Sequence, residues 1–221
     1  PNTGNDNITL AGNWTVTSTN ADPFDEGTEL VTLDGTLTAQ AISTVLAGGE
    51  TFYNLTTNNT FPTAPQITLS SNISAANILT MTSGIINLNG LTLSITSNAA
   101  GSLVYTAGWM YGGSMARAMA NAGIILGNVR GQYPMGTLAN YRPFFLGKPG
   151  GTGNGTTTVT HNGTLNTTST VAFTDDLPIT RRHDSFWTTT STYSGAATTW
   201  SLRGGGTGFG TIANINHLRL S

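Results

Sequence analysis

The feature that most constrains this chain is a run of alternating apolar and small polar residues that carries no charge. It is clearest in the stretch ILTMTSGIINLNGLTLSIT, residues 78–96. Successive side chains of a β-strand point to opposite faces, so Leu79 and Met81 share one face of a strand. Leu93 and Ile95 share a face of another strand for the same reason. The pattern predicts short strands that each bury one side.

Strand-like segments of this kind follow one another through the first hundred residues. They are 7–10, 13–18, 29–33, 36–43, 52–58, 66–71, 78–83, 85–88 and 91–96. Glycine, asparagine, aspartate or proline separates most of them, as expected at turns. Asn89-Gly90 suits either a two-residue hairpin or a corner between two sides of a coil. The recurrence of apolar strands favours stacked turns of a β-solenoid.

The second half of the chain is less regular. Residues 97–108 are small and loop-like, which predicts a boundary between a solenoid-like segment at 1–100 and a second module at 101–221. Residues 114–123 contain good helix formers, but a strand is slightly favoured there and both alternatives stay open. Residues 147–158 and 203–211 are expected to be glycine-rich loops. Neither ends in the Gly-Lys-Ser/Thr of a phosphate-binding loop, because Lys148 precedes a proline.

The composition predicts a polar surface that is almost uncharged. Only 8% of the 221 residues are charged, the net charge is −2, and 41 threonines, 16 serines and 21 asparagines supply the polarity. This balance offers no basic face for nucleic acid, and no apolar run reaches the length of a membrane helix. The absence of cysteine excludes disulfides and thiolate zinc sites. The chain begins at Pro1 without a leader, so we expect a mature product or an excised piece, located outside the cell or at its surface.

No converging set of reactive groups is visible, so we expect no catalytic residue, no metal site and no cofactor. The three histidines, His161, His183 and His217, are far apart and are expected in loops and at the surface. His183, Asp184 and Ser185 are the residue types of a catalytic triad. Neighbours on a strand point to opposite faces, however, and cannot form the relay themselves.

Two rival functions remain open at this point. A β-helix enzyme acting on polysaccharide needs paired carboxylates or carboxylates with an arginine, but the acidic cluster at 22–29 has no arginine in its half of the chain. A carbohydrate-binding module needs exposed aromatic rings, although such rings usually belong to the core. The candidates are Trp14, Trp109, Trp187, Trp200, Tyr111 and Tyr193.

The segment NITLAGNWTVTS, residues 7–18, is the candidate intersubunit strand. Ile8, Leu10, Trp14 and Val16 are its apolar positions, and it contains neither charge nor proline. Proteins usually protect sheet edges with such residues, so an unprotected edge predicts pairing with another chain. The alternative is a first turn that caps the chain's own solenoid.

Eight Asn-x-Ser/Thr triplets are candidate glycosylation sites, a number close to that expected by chance in so threonine-rich a chain. They start at Asn7, Asn13, Asn54, Asn58, Asn72, Asn154, Asn162 and Asn166.

Three blocks of the sequence resemble a repeated block of large secreted β-solenoid surface proteins, of the adhesin type, from Bacteroidota-type bacteria. The blocks are FDEGTELVTLDGTLTAQAIS at 24–43, TFYNLTTNNT at 51–60 and ITLSSNISAANILTMTSGIINLNGLTLSI at 67–95. The matching residues are Phe24, Gly27, Thr28, Val31, Gly35, Gln40, Ile42, Phe52, Asn54, Leu55, Leu79, Ser83, Gly84, Leu88, Gly90, Leu91 and Leu93.

Two later segments resemble the motifs that follow such blocks. QYPMGTLANYRPFFL at 132–146 is similar to F-P-V-G-T…Y-R-P-V, with Tyr133 and Met135 as mild departures, and RRHDSFWTT at 181–189 is similar to an R-x-W strand. The resemblance implies an all-β protein with a β-helix or solenoid-like N-terminal half and a β-sandwich-like module after it. It also implies an exported adhesin or scaffold.

Together these observations predict a structural subunit of an extracellular filament, sheath or adhesin stalk. Its expected partner is itself, through strand-edge or end-to-end β contacts, with glycans or a cell surface as further partners. We do not expect an enzyme, a nucleic-acid partner or a membrane span. A carbohydrate-binding surface module and a polysaccharide-degrading β-helix enzyme are the alternatives.

Overall fold

The computed structural model describes residues 6–20, 23–25, 27–119, 123–150, 153–163, 185–194 and 199–208. Within these ranges the protein is all-β and contains no α-helix. The strands are β1 Ile8–Leu10, β2 Trp14–Val16, β3 Leu30–Leu33, β4 Gln40–Thr44, β5 Glu50–Asn58, β6 Ile67–Leu69, β7 Ile73–Ser83, β8 Ile85–Asn87, β9 Thr92–Ile95, β10 Leu103–Tyr105, β11 Trp109–Tyr111, β12 Ser114–Met119, β13 Gln132–Tyr133, β14 Phe144–Gly147, β15 Gly155–Asn162, β16 Phe186–Ser191 and β17 Ser201–Gly204. A 3₁₀ turn spans Val129–Gly131.

The N-terminal half is a three-sided β-solenoid of about four turns, over residues 8–117. Side 1 stacks β1, β3, the end of β5, the end of β7 and β10, all parallel. Side 2 stacks β2, β4, β6, β8 and β11. Side 3 stacks the start of β5, the start of β7, β9 and β12. β5 and β7 are long because each runs through the corner from side 3 to side 1.

The register of side 1 reveals a repeat of 24 residues. Val31 pairs with Leu55, Leu55 with Leu79 and Leu79 with Leu103, each 24 residues further along the chain. These four side chains are at most 3% exposed and form one continuous apolar stack. Ile8 begins the same stack as the partner of Val31. The repeat therefore builds the core one turn at a time, as expected for a solenoid.

One buried polar residue, Gln40, connects three successive turns. Its Oε1 accepts hydrogen bonds from the Gly35 N–H and from Asn59 Nδ2, both at 2.9 Å. Its Nε2 donates to the carbonyl oxygens of Leu10, at 2.8 Å, and Gly12, at 2.6 Å. Both ends of the amide are thus satisfied, as a buried polar group requires.

The C-terminal module continues directly from side 3 of the solenoid. β12 pairs in parallel with β9 on one edge and antiparallel with β15 on the other, and β15 pairs antiparallel with β16. A second antiparallel sheet has the order β13–β14–β17. Tyr133, Phe144 and Trp187 pack between the two sheets, with ring centroids 6.2 Å and 6.4 Å apart. The expected fold class, a solenoid followed by a sandwich-like sheet module, is confirmed. The division at residue 100 stays a prediction.

The strands predicted in the first hundred residues are observed, with ends shifted by a few residues. Asn89-Gly90 is a corner, because β8 before it belongs to side 2 and β9 after it belongs to side 3. The open question at 114–123 is answered by β12, which is a strand through Met119; residues 120–122 lie outside the described residues.

Two loop predictions are wrong. The segment 97–108 contains β10, because Leu103 and Tyr105 take the register positions next to Leu79 and Met81. The described residues of the segment 147–158 are not a loose loop, since β15 begins at Gly155 and Lys148 is completely buried. The Lys148 ammonium lies 4.0 Å from the Tyr193 ring centroid, a cation–π contact that holds it inside. The predicted turn at 203–211 begins inside β17, and its last residues lie outside the described ranges.

Candidate functional site

The first turn of the solenoid is the candidate functional site, because it ends both stacked sheets. β1 is the last strand of the large sheet and β2 is the last strand of the sheet on side 2. Each pairs on one edge only within the described part of the chain. The four residues of the candidate intersubunit strand all lie here. Ile8, Leu10 and Trp14 pack half-buried against the core, and Val16 is half-buried at the end of β2.

The hydrogen-bonding direction of the two strands defines the open edge. Leu10 O accepts from Asp34 N–H, and Val16 O accepts from Val45 N–H, so both residues point toward the next turn. Peptide groups alternate in direction along a strand that pairs in parallel. The N–H and C=O groups of Thr9 and Thr15 therefore face away from the solenoid, at the unpaired edge.

Trp14 anchors this turn in the core. Its ring packs edge-on against Phe24, at 4.7 Å between centroids, and against Phe52, at 5.1 Å. Its Nε1 donates to Glu50 Oε2 over 3.4 Å. The three rings close the end of the apolar interior, while the ring of Trp14 stays half-exposed. At this end of the solenoid, an apolar surface formed by these rings therefore lies next to the outer edges of β1 and β2.

The opposite end of the solenoid is covered by the sheet module. Met110 N–H donates to Pro134 O at 2.8 Å, and Trp109 Nε1 donates to Thr137 O at 2.7 Å. Arg117, which is 2% exposed, closes the interior of side 3 and donates to Gln132 O at 2.6 Å. Burial lowers the pKa of Arg117 to about 10. The two ends are thus chemically different.

Five of the eight candidate glycosylation asparagines connect neighbouring turns. Asn54 and Asn58 do so by accepting hydrogen bonds from Asn77 Nδ2 and Ser83 Oγ. In the other three, the side-chain Oδ1 accepts a hydrogen bond from a backbone N–H of the following turn. The bonds run from Leu30 to Asn7 at 3.2 Å, from Ala41 to Asn13 at 2.8 Å and from Thr92 to Asn72 at 2.9 Å. These amides supply hydrogen bonds next to the strand ends, a structural use that the sequence pattern did not suggest.

The candidate asparagines vary in exposure. Asn54, Asn58 and Asn162 are half-buried and Asn154 is exposed. Asn166 lies outside the described residues. Glycosylation at any of the eight positions stays a prediction.

His161 is buried, at 5% exposure, so the expectation that it lies in a surface loop is wrong. It faces inward on β15 because Thr157, Val159 and His161 alternate with the outward threonines. Its Nδ1 lies 2.9 Å from Gly136 O and its Nε2 lies 3.0 Å from Ser185 Oγ. His183, Asp184 and His217 lie outside the described residues.

The contact between His161 and Ser185 resembles part of a hydrolase triad, but its surroundings favour a structural role. The Gly136 carbonyl oxygen lies on the Nδ1 side of the imidazole. The Arg142 guanidinium donates a hydrogen bond to Ser185 Oγ. This bond engages a lone pair of the hydroxyl oxygen, which a nucleophilic serine needs for attack. Arg142 Nε also donates to Thr207 O, at 3.3 Å, so the group holds several loops together.

The six aromatic candidates for sugar stacking are all half-buried and do not form an exposed row. Most pack against other rings. The pairs, beside those of Trp14, are Trp109 with Tyr141 at 5.9 Å, Trp187 with His161 at 5.5 Å and Trp200 with Tyr193 at 5.4 Å.

Across the described ranges, no group of three or more histidine, aspartate or glutamate side chains is arranged to hold a metal ion. The same ranges contain no helix that is long and apolar enough to cross a membrane.

The fold and its open end define the class of the molecule: a β-solenoid with a sheet module at one end. Comparisons of the chain with protein-family models, with curated proteins and with solved structures find no match. The resemblance to secreted surface proteins therefore stays a prediction.

Proposed function

We propose that the protein is a structural subunit of an extracellular assembly, such as a filament, sheath or adhesin stalk, and that it joins its neighbour through the open first turn. The observation that supports this most is that the outer edges of β1 and β2 pair with no other described strand and lie above an incompletely covered core. An exposed strand edge is a template for another strand. Residues 7–18 carry none of the usual protection, since they contain no proline, lysine or other charge.

In this proposal the first turn accepts a strand and does not leave to pair elsewhere. Removing β2 from its own solenoid would expose Phe52, which is fully buried, and would take the Trp14 donor away from Glu50. Adding a strand to the outer edge breaks none of these contacts. Each new backbone hydrogen bond contributes about 0.5–1.5 kcal/mol, and covering the half-exposed Trp14 ring adds an apolar gain.

The surface composition supports a location outside the cell. Threonine, serine and asparagine hydrate the protein without ionising, so its solubility and contacts depend little on pH or salt. The resemblance of residues 24–95 to blocks of secreted surface proteins agrees with the same proposal.

The test places proline at the open edge. Thr9→Pro and Thr15→Pro each remove an N–H that faces outward, so the contacts to the next turn are kept. Thr9→Ala and Thr15→Ala are the matched controls, because they remove the same hydroxyls but keep the N–H. Assembly is followed by negative-stain microscopy and light scattering over a range of concentrations, and folding is checked by circular dichroism.

We expect the wild-type protein and the alanine variants to form regular polymers. The proline variants should need about tenfold more protein to do so, because an edge hydrogen bond and its geometry are lost. Equal polymerisation of the proline variants, or a wild-type protein that stays monomeric at all concentrations, would show that the open turn is not the contact.

A further inference from the structure

The outward face of β15 and β16 carries paired threonines in register. Thr160 lies opposite Thr188, and Thr158 lies opposite Thr190. Thr188 and Thr190 are exposed, while Thr158 and Thr160 are half-exposed. The four hydroxyls thus form two cross-strand pairs on one surface, separated along each strand by about 7 Å.

The two cross-strand rows of hydroxyl-bearing residues extend onto the neighbouring strands of the same sheet. Ser114 pairs with Thr160, its Oγ lying 2.6 Å from Thr160 Oγ1, and Thr92 pairs with Ser114. The row that contains Thr158 continues through Ala116 and Ser94. The outward positions of β9, β12, β15 and β16 include no charged residue.

An aromatic ring and an amide lie at the end of this face. Phe186 has the same orientation along β16 as Thr188 and Thr190, and it is 38% exposed. Its cross-strand partner is Asn162, which supplies donors and an acceptor next to the ring. Phe186 is not among the six candidates for sugar stacking, and it is more exposed than any of those six half-buried residues.

We propose that this surface, formed by Phe186, Asn162 and the paired threonines of β15 and β16, binds a neutral polysaccharide. The apolar face of a sugar ring stacks on Phe186, and its hydroxyls exchange hydrogen bonds with Asn162 and Thr160. Further sugar units along the strands meet the next hydroxyl pair. Single contacts of this kind are weak, so binding depends on a polymer that makes several at once.

Among the described residues, the outward positions of β9, β12, β15 and β16 carry no charge, and this selects the partner. An acidic polysaccharide or a nucleic acid would lose hydration of its charges here and gain no ionic contact with these strands in return. A neutral polymer loses little hydration free energy, because each sugar hydroxyl that it buries meets a side chain that can both donate and accept a hydrogen bond. The site is separate from the open first turn, so the two proposals are tested by different variants.

The experiment measures depletion of the protein from solution by insoluble cellulose and by chitin, with an insoluble acidic pectate gel for comparison. The variants are Phe186→Ala, Phe186→Tyr and the double variant Thr188→Val/Thr190→Val. Thr189→Val is the matched control, since Thr189 is exposed on the same strand and alternates to the other face. Thermal melting confirms that each variant is folded.

We expect retention by cellulose or chitin, little retention by pectate and no effect of added salt. Phe186→Ala should weaken retention by about tenfold, and Phe186→Tyr should keep it, because the ring remains. The double valine variant should bind more weakly than wild type, whereas Thr189→Val should bind equally well. The proposal is wrong if neither polysaccharide retains the protein, if Phe186→Ala binds like wild type, or if Thr189→Val loses as much as the double variant.

Discussion

Replacing the buried amide of Gln40 should reveal how strongly the turns of the solenoid depend on one another. Leucine at this position removes all four hydrogen bonds at similar volume. The Gly35 N–H, which is buried, then has no partner. Leu10 O keeps its bond to Asp34 N–H, and Gly12 is exposed enough to be hydrated.

The size of the effect follows from these contacts. An orphaned buried donor costs about 1–3 kcal/mol, and each of the other three hydrogen bonds contributes about 0.5–1.5 kcal/mol. Gln40→Leu should therefore lower the free energy of unfolding by about 2.5–7.5 kcal/mol, a large share of the total stability of a domain.

Gln40→Glu is the sharper variant, because it changes only which atoms can donate. One carboxylate oxygen keeps the bonds from Gly35 and Asn59. The other would lie where Nε2 now lies, 2.8 Å from Leu10 O and 2.6 Å from Gly12 O. Repulsion among these oxygens raises the pKa of the introduced carboxyl in the folded state, and the protonated form donates instead.

The sign of the pH dependence follows. A carboxyl whose folded pKa is raised contributes stability that is present at low pH and is lost as pH rises, by up to about 1.4 kcal/mol per pH unit. Urea unfolding at neutral and mildly acidic pH should show Gln40→Glu strongly destabilised at neutral pH and closer to wild type in acid. Gln66→Glu, at a half-buried amide with one donor contact, should change less. A Gln40→Glu variant as stable as wild type at neutral pH would refute the reasoning.

Three further predictions concern the packing of the fold and are all measured by chemical or thermal unfolding. Leu55→Ala, in the centre of the 24-residue stack, should cost about 2–5 kcal/mol, whereas its outward neighbour variant Thr56→Ala should stay within about 0.5 kcal/mol of wild type. Gly108→Ala should be severely destabilising, because φ is +86° and a Cβ would lie 2.3 Å from a backbone oxygen; Gly90→Ala, with φ +81° and open space, should cost only about 1–2 kcal/mol. Burial raises the pKa of Tyr133, so the folded state keeps a proton that the unfolded chain loses above about pH 10, and stability falls with rising pH by up to about 1.4 kcal/mol per unit. Tyr133→Phe should show a shallower alkaline decline than wild type, and an identical decline would contradict this account.

Much of the solenoid could be predicted from local patterns, because each strand buries alternate residues regardless of what lies above it. The 24-residue spacing of Val31, Leu55, Leu79 and Leu103 was also present in the sequence, but it is hidden by corners of unequal length. Aligning the chain with itself at that spacing would have identified β10 as a fifth strand of side 1.

The errors in the second half have a common physical cause. Lys148 and His161 are residue types that usually lie at the surface, and their local sequences are rich in glycine and threonine. Both are buried because partners distant in sequence satisfy them: the ring of Tyr193 faces the ammonium, and Gly136 O faces the imidazole. Such long-range compensation leaves no local signal. The exposure of Phe186 leaves no local signal either, because it depends on how β16 pairs with β15.

The difference between the two ends of the solenoid limits how copies can join. If the open edges of two copies paired with each other, a two-fold axis would relate them and the product would stop at a dimer. A filament requires that the open turn of one copy receive a different segment of the next copy. A copy with Thr9→Pro and Thr15→Pro would still bind to the open turn at a growing end, because the segment that it inserts is unchanged. Its own first turn, however, could not accept the next copy.

That asymmetry predicts chain termination. A small fraction of the double proline variant, added to wild-type protein, should shorten filaments far more than the same amount of the double alanine variant, as measured by length distributions in negative-stain images. The amount of assembled protein should fall much less than the mean length, because only the growing end is affected. Filaments of unchanged length would mean that the open turn is not the accepting surface, and a wild-type product that ends at the mass of two chains would mean that the open edges pair with each other.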